Sequence, residues 1–356
     1  MDWDDVRGRI RGPGALVSSI FYDDYSLDAA AIEGNVRAIV ERGIGRDTGF
    51  IIAPCGDGEY VTLSPDEHRT VVEAAVRASD GTVAVVAGVQ STDWRAAIAF
   101  SQGARDAGAI GVMMAPPMYY QLTEDAIVDF YRRVADAVDI GIMVYEQAWR
   151  GPQVNAGVGP RTLARLVEIP NVVAMKHSGL YNVGEEMAIL DRFGDRVAYL
   201  DTTAAFVTTT AHMHGAAGFV SECSTWWPEF ELRYWALLEA GEYRRAETGH
   251  AHINPLFHYM MARGGAHSPV TVLKACLEYA GFAGGPVRPP FRALDATEKA
   301  GVFEVLAAVG VPPAGSSAAD RAAALERMYG DDDGTAAQPL IDELDRVEAA
   351  PASTWR

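Results

Sequence analysis

Short apolar segments alternate with longer amphipathic segments up to about residue 221 of the chain. The apolar segments are rich in β-branched residues, as are strands buried on both faces, and we predict eight of them. They span residues 15–21, 49–53, 83–89, 111–115, 140–145, 172–176, 197–200 and 218–221. The intervening helices are predicted at 27–42, 65–78, 93–107, 123–138, 160–167, 182–193 and 204–214. Strand–helix units in this number predict a (β/α)8 TIM barrel, whose reactive groups project from the C-terminal ends of the strands.

Beyond the last predicted strand the pattern becomes purely helical. Helices are predicted at 229–239, 243–261, 268–280 and 296–309, and two more at 318–328 and 339–349. We interpret the first four as a C-terminal helical annex and the last two as an accessory tail. The predicted units are therefore a barrel at 1–224, an annex at 225–310 and an accessory helical tail at 311–356.

Composition narrows the class of protein. With 356 residues, 49% hydrophobic and 22% charged, the chain can bury a full-sized core. Its net charge of −18 disfavours nucleic acid and anionic membranes as partners. The N-terminus has no secretory pattern, and no apolar run approaches the roughly 18 residues of a membrane span, which predicts a cytoplasmic location. Three scattered cysteines without a CxxC motif indicate reduced thiols.

The sequence position of one lysine, Lys176, indicates a catalytic role. Lys176 lies in the apolar segment 172–176, so folding removes water from its amine. Desolvation disfavours the ammonium form, and we expect a lowered pKa and a neutral amine that can attack a carbonyl group. The chain has two other lysines, Lys274 and Lys299, which we place on polar faces of helices. The alternative is that Lys176 ends its strand with the amine in solvent.

Four short segments fall at predicted strand ends, in a set order. They are CGDGE at 55–59, PPMYY at 116–120, Tyr145 with Arg150, and Lys176. Together they resemble the dihydrodipicolinate synthase and N-acetylneuraminate lyase family of class I aldolases, whose pattern is GTTGE, then PPYY, then Tyr followed five residues on by Arg, then Lys. The resemblance covers about residues 10–300.

The resemblance implies a lyase that needs no cofactor. Lys176 would form a Schiff base with a 2-oxo acid, either pyruvate-like or a keto-deoxy sugar acid, before aldol cleavage, aldol addition or dehydration. Tyr145 on the adjacent strand is expected to act as the acid/base, and Arg150 to bind the substrate carboxylate. Tyr119 matches a tyrosine that reaches a neighbouring subunit's site, which implies a homo-oligomer, either a dimer or a tetramer.

The turn at 55–59 departs from the family pattern. Its backbone N–H groups and a threonine bind the substrate carboxylate in the family, whereas here Gly56 and Asp57 replace both threonines, followed by Gly58. An aspartate would repel a carboxylate unless it is protonated or paired. We hypothesise that Asp57 relays protons to Tyr145, or else marks a substrate with an amine or hydroxyl group. Glu59 is expected to be structural.

Residues near the last strand complete the predicted site. Val220 would line the pocket floor, and Glu222 would either recognise a polar substrate group or cap a neighbouring helix. Alternation along the strand points His177 away from the lumen, between strand and helix. The pairs His212 with His214 and His250 with His252 lie on different helix faces, so no metal site is predicted.

Three alternatives remain at this point. The protein could be a diverged family member whose substrate lacks the usual carboxylate. It could be a pyridoxal phosphate enzyme that uses Lys176 for its cofactor, or a barrel that binds a metabolite without catalysis. Borohydride reduction with 2-oxo acids distinguishes these, because only the Schiff-base enzyme gains the mass of the acid on Lys176.

Overall fold

The fold is a closed barrel of parallel strands. The computed structural model describes residues 1–118, 121–146, 158–177, 183–202, 207–263 and 269–330, so Tyr119 and Arg150 lie outside the described residues. The strands are β1 Gly12–Leu16, β2 Phe50–Ile52, β3 Ala84–Gly88, β4 Gly111–Met114, β5 Gly141–Tyr145, β6 Val172–His177, β7 Ala198–Asp201 and β8 Gly218–Val220. They pair in chain order, and β8 closes on β1. The predicted TIM barrel is confirmed.

The helices follow the predicted alternation around the barrel. They are α1 Trp3–Gly8, α2 Ala29–Glu41, α3 Pro65–Ser79, α4 Trp94–Ala107, α5 Glu124–Ala137, α6 Pro160–Leu166, α7 Val183–Phe193 and α8 Thr208–Met213. After the barrel come α9 Cys223–Trp226, α10 Pro228–Glu239, α11 Tyr243–Ala251, α12 Asn254–Arg263, α13 Pro269–Tyr279, α14 Ala296–Ala308 and α15 Ala318–Tyr329. Two short helices, α1 and α9, were not predicted. None of the helices in the described ranges is both long and apolar enough to cross a membrane.

The first strand begins and ends earlier than predicted. The prediction of 15–21 is wrong, because β1 spans Gly12–Leu16. Gly14 faces the Phe50 ring on β2, where a Cβ atom would lie 2.5 Å from the ring. Residues 17–21 are buried in a loop, and only Phe21 forms an isolated bridge, with Leu27. The apolar run at 17–21 therefore indicates that these residues are buried, but it does not show that they form a strand.

Helix starts around the barrel are set by capping residues. Ser64 accepts a hydrogen bond from Glu67 N, and the Glu67 side chain accepts one from Ser64 N, which makes a capping box at the start of α3. Asp93 caps α4 through Arg95 N. These caps orient α3 and α4 immediately after the loops that leave the C-terminal ends of β2 and β3.

The barrel lumen is filled by apolar side chains from all eight strands. Its buried cluster includes Phe50, Ile52, Val86 and Met143 together with Tyr145 near the mouth. Helix α1 closes the opposite end, because Val6 and Ile10 join the same cluster. A second layer lies between the strands and the surrounding helices. The lumen is therefore a packed core, and polar chemistry is confined to the mouth.

The helices after the barrel share a core with it. Where one helix was predicted at 243–261, the structure has α11 and α12, so that prediction is wrong. Pro255 stands at the second position of α12 and has no N–H to donate, so the preceding helix cannot continue through it. Tyr329 of α15 is buried and donates a hydrogen bond to Phe230 O, and its ring fills the space where a Cβ on Gly249 would lie. The first helix of the predicted tail thus belongs to the core; residues 331–356 lie outside the described ranges.

Candidate active site

Lys176 and Tyr145 meet at the C-terminal ends of β6 and β5. The two residues are paired in the strand register, as predicted from adjacent strands. Lys176 is 5% exposed and Tyr145 is 9% exposed. Lys176 Nζ lies 3.8 Å from the centroid of the Tyr145 ring, against its face. An amine held on an aromatic face at a barrel mouth has lost most of its water.

The turn at 55–59 is held rigidly beside this pair. Gly58 N donates to Cys55 O at 3.2 Å, and Gly58 O accepts from both Ser19 N at 3.1 Å and Ser19 Oγ at 2.6 Å. A Cβ atom on Gly58 would lie 2.2 Å from Val17 O. Only glycine fits there, so the turn packs directly on the loop after β1. Gly56 and Asp57, at its tip, are half-buried.

Two acidic residues share the mouth with the lysine. Burial and the nearby charge of Asp57 together raise the pKa of Glu222 to about 8, against the opposing effect of Lys176. Burial also raises the pKa of the Cys55 thiol, which is subject to the same opposing charges of Asp57 and Lys176. Asp57 and Lys176 therefore both lie within electrostatic range of Glu222 and of Cys55. Glu222 stands at the N-cap position of α9, but its side chain makes no capping hydrogen bond there.

Sequence reasoning did not single out Cys55 as a residue of this group. Its only signal was its position directly before Gly56. Val220, by contrast, was predicted to line the pocket floor. It is buried in the lumen cluster with Tyr145 and Leu200, directly below the mouth.

A second polar group lies behind β6, outside the lumen. His177 is buried, and its Nε2 atom lies 3.8 Å from Glu146 Oε2. Its ring is 5.7 Å from the Tyr199 ring, in the layer between strands and helices. The prediction that His177 points away from the lumen is confirmed. Burial lowers the pKa of His177 to about 4, so the imidazole is neutral at pH 7.

Glu59, the last residue of the turn at 55–59, anchors it through its buried side chain. It is fully buried with φ at 62°, and its Oε1 atom lies 2.5 Å from Lys274 Nζ. Its Oε2 atom accepts a hydrogen bond from Arg288 N at 2.9 Å. Glu59 is thus held as a structural carboxylate. The prediction of a polar-faced Lys274 is wrong: it is 3% exposed, because α13 is packed on nearly all sides.

Arg288 joins several loops around the same anchor. Its guanidinium contacts both carboxylate oxygens of Glu67 on α3, at 2.5 and 3.0 Å, and it donates to the carbonyl oxygens of Tyr25 and Thr62. It also lies 4.0 Å from the centroid of the Phe21 ring. The sequence did not reveal this network, because its members are distant in the chain. In the described ranges no three His, Cys, Asp or Glu residues are placed to hold a metal ion.

Comparison with known proteins identifies the family. The model of the dihydrodipicolinate synthetase family matches residues 11–309. The chain belongs to this family. As a member of the dihydrodipicolinate synthetase family, it is an enzyme, an aldolase- or dehydratase-type lyase.

Two curated relatives and one solved structure illustrate the range of similarity. The chain is 29% identical over 289 residues to a 4-hydroxy-tetrahydrodipicolinate synthase of Methanosphaerula palustris, covering 80% of this chain and 94% of that protein. It is 32% identical over 301 residues to a probable 5-dehydro-4-deoxyglucarate dehydratase of Bradyrhizobium diazoefficiens, covering 83% and 90%. Its fold matches that of YagE from E. coli K12, solved in complex with pyruvate, with a TM-score of 0.75, 21% identity, and 84% and 98% coverage.

Proposed function

We propose that this family member is a class I lyase in which Lys176 forms a Schiff base with a 2-oxo acid. The observation that carries the proposal is the desolvated position of Lys176 at the C-terminal end of β6, with its amine against the Tyr145 ring. The amine of Lys176 adds to the ketone carbon, and the resulting carbinolamine loses its hydroxyl group as water to leave a C=N bond. The protonated imine then accepts the electron pair released when a neighbouring bond breaks.

Tyr145 is the proposed proton carrier for this sequence. It stands opposite Lys176 in the strand register and is nearly buried, so a phenol proton there is shielded from bulk water. Dehydration of the carbinolamine needs a proton on the leaving hydroxyl group. Asp57, half-buried on the adjacent turn, is the proposed relay for that proton. Tyr119 and Arg150 keep their predicted roles as a proton-relay residue from a neighbouring subunit and a carboxylate ligand.

The acidic groups favour a polyhydroxylated substrate. Asp57 and Glu222 bring two carboxyl groups to a mouth with one lysine, and carboxyl groups can form hydrogen bonds with the hydroxyl groups of a substrate. Because its pKa is raised to about 8, Glu222 is mostly protonated at pH 7 and can donate a hydrogen bond to a substrate oxygen. A keto-deoxy sugar acid supplies both the ketone for Lys176 and such hydroxyl groups. The curated relative named as a probable 5-dehydro-4-deoxyglucarate dehydratase supports this substrate class.

The experiment is borohydride reduction in the presence of separate 2-oxo acids, followed by mass spectrometry. We expect pyruvate and keto-deoxy sugar acids to leave a reduced adduct, and turnover to be measurable with at least one sugar acid. Asp57→Thr tests the relay. An unchanged pH–rate profile and unchanged turnover in that variant would remove Asp57 from the mechanism.

A further inference from the structure

A cavity of about 310 Å³ lies between the C-terminal helices and the loop after β1. It is lined by residues of α13, of the segment before α14 and of α14 itself, together with Asp23. The two lysines outside the candidate active site, Lys274 and Lys299, both line it. A volume at the lower end of the range for ligand pockets suits a small molecule.

We propose that this cavity binds a short-chain carboxylate and that the bound acid alters the candidate active site through Lys274 and Glu59. Lys274 and Lys299 provide cationic groups for the carboxylate, and Ala275, Val287 and Leu294 provide apolar surface for a short hydrocarbon body. Two acidic residues, Asp23 and Glu278, also line the cavity, and Glu278 is paired with Lys299. The coupling part of the proposal rests on the proposed function, whereas binding does not.

Lys274 has capacity for another acceptor. Of its three N–H donors, one bonds Pro286 O at 2.6 Å; the ammonium is also ion-paired with Glu59 Oε1 at 2.5 Å and lies 4.7 Å from the centroid of the Phe21 ring. Burial of this lysine disfavours its ammonium form, and Glu59 offsets that effect only in part. A ligand carboxylate would add a second negative charge beside a buried cation, where charge interactions are strong.

Lys299 provides a cationic group that can exchange its present partner for a ligand. It is 38% exposed and paired with Glu278, which is 30% exposed. A half-exposed pair of this kind contributes little to stability, so the lysine can leave Glu278 for a ligand at small cost. Ala293, on the exposed segment before α14, lies at the cavity lining without a polar group of its own.

Direct contacts link the cavity to the turn at 55–59 of the candidate active site. Lys274 bonds Glu59, and Glu59 is the last residue of the turn that carries Asp57. Glu59 N donates to Gly56 O at 3.2 Å, so a shift of this carboxylate moves the tip of the turn. When a ligand shares the ammonium, the bond from Lys274 to Glu59 weakens. We expect the turn to loosen and imine formation at Lys176 to slow.

The test uses the full-length protein and butyrate, a carboxylate with no ketone and therefore unable to form an imine. Saturation-transfer NMR measures binding, and the rate of borohydride trapping of pyruvate measures coupling. Ala293→Trp fills the cavity from an exposed position, and Lys299→Gln removes the ammonium group of Lys299. Ala307→Trp adds the same ring at an exposed position of α14 outside the cavity lining.

We expect butyrate to bind the wild type and Ala307→Trp alike, and to bind Ala293→Trp and Lys299→Gln at least about fivefold more weakly, a difference near 1 kcal/mol. Butyrate should slow pyruvate trapping two- to fivefold, about 0.4–1 kcal/mol, in the wild type and not in Ala293→Trp. Absence of binding, or equal binding in Ala293→Trp, would overturn the site. Binding without an effect on trapping would overturn the coupling. If pyruvate is never trapped, the proposed function fails, and the NMR comparison still decides the cavity.

Discussion

Two lysines are buried in this protein, and their surroundings differ in one decisive respect. Lys274, on α13, lies 2.5 Å from a carboxylate oxygen of Glu59 and is locked in an ion pair. Lys176, at the mouth of the barrel, has its amine on the face of the Tyr145 ring. Among the described residues no carboxylate oxygen approaches Lys176 Nζ within 4 Å, although Asp57 and Glu222 lie in electrostatic range.

This difference explains how burial of a lysine serves two purposes. A paired carboxylate favours the ammonium form against the effect of burial and makes the lysine a structural link between α13 and the turn at 55–59. An amine that faces an aromatic ring beside an open mouth has no such lock and can reach a carbonyl carbon. Burial alone therefore does not identify a nucleophile; the nearest partner atom does.

The largest effect is expected from removing the amine of Lys176. Lys176→Gln should reduce turnover by more than about 10³-fold, because no other group can form the imine. Since Lys176 makes no close ion pair with any of the described residues, the midpoint of urea unfolding should shift little. Steady-state kinetics and denaturation measure the two quantities. Turnover within tenfold of the wild type would contradict the assignment.

Removing Lys274, the other buried lysine, should have its main effect on stability rather than on turnover. Lys274→Met leaves Glu59 charged and buried, which should lower the free energy of unfolding by about 3–5 kcal/mol. Lys299→Met breaks the half-exposed pair with Glu278 and should cost under about 1 kcal/mol. Urea denaturation compares the two variants. Equal losses would mean that Lys274 is not the structural link described here.

The turn between the two lysines can be disturbed without a change of charge. Gly58→Ala places a Cβ atom 2.2 Å from Val17 O, so the turn must move, at a cost of about 1–3 kcal/mol and with a loss of turnover. Gly34→Ala on α2 is the matched control, because its Cβ atom meets nothing within 4 Å. That variant should gain up to about 1 kcal/mol from helix propensity. Unchanged stability and turnover in Gly58→Ala would show that the turn is not rigid.

The last prediction concerns Glu222 and the dependence of stability on pH. Its pKa is raised from 4.5 to about 8, so between these values the folded state binds more protons than the unfolded state, and stability falls as pH rises. Glu222→Gln should remove that contribution, so the free energy of unfolding should fall less between about pH 5 and pH 8 than it does in the wild type. Glu186 has a pKa near 8 for a similar reason, so the comparison is the difference between wild type and variant. Parallel stability curves would contradict the raised pKa.

The sequence could predict the barrel because parallel strands buried on both faces leave strong apolar runs. It also placed Lys176 opposite Tyr145, since consecutive strands of a barrel are neighbours. The end of β1 was misplaced because residues 17–21 are buried in a loop, and burial produces the same apolar signal as a strand. The ion pair of Lys274 with Glu59 could not be predicted, because nothing local to α13 indicates a partner that lies so far away in the chain.

The most direct test of the central claim is peptide mapping of the protein after borohydride reduction with pyruvate. The account predicts a reduced pyruvyl adduct on Lys176 and unmodified Lys274 and Lys299, with the adduct absent from Lys176→Gln. An adduct on Lys274, or an adduct that persists in Lys176→Gln, would contradict it.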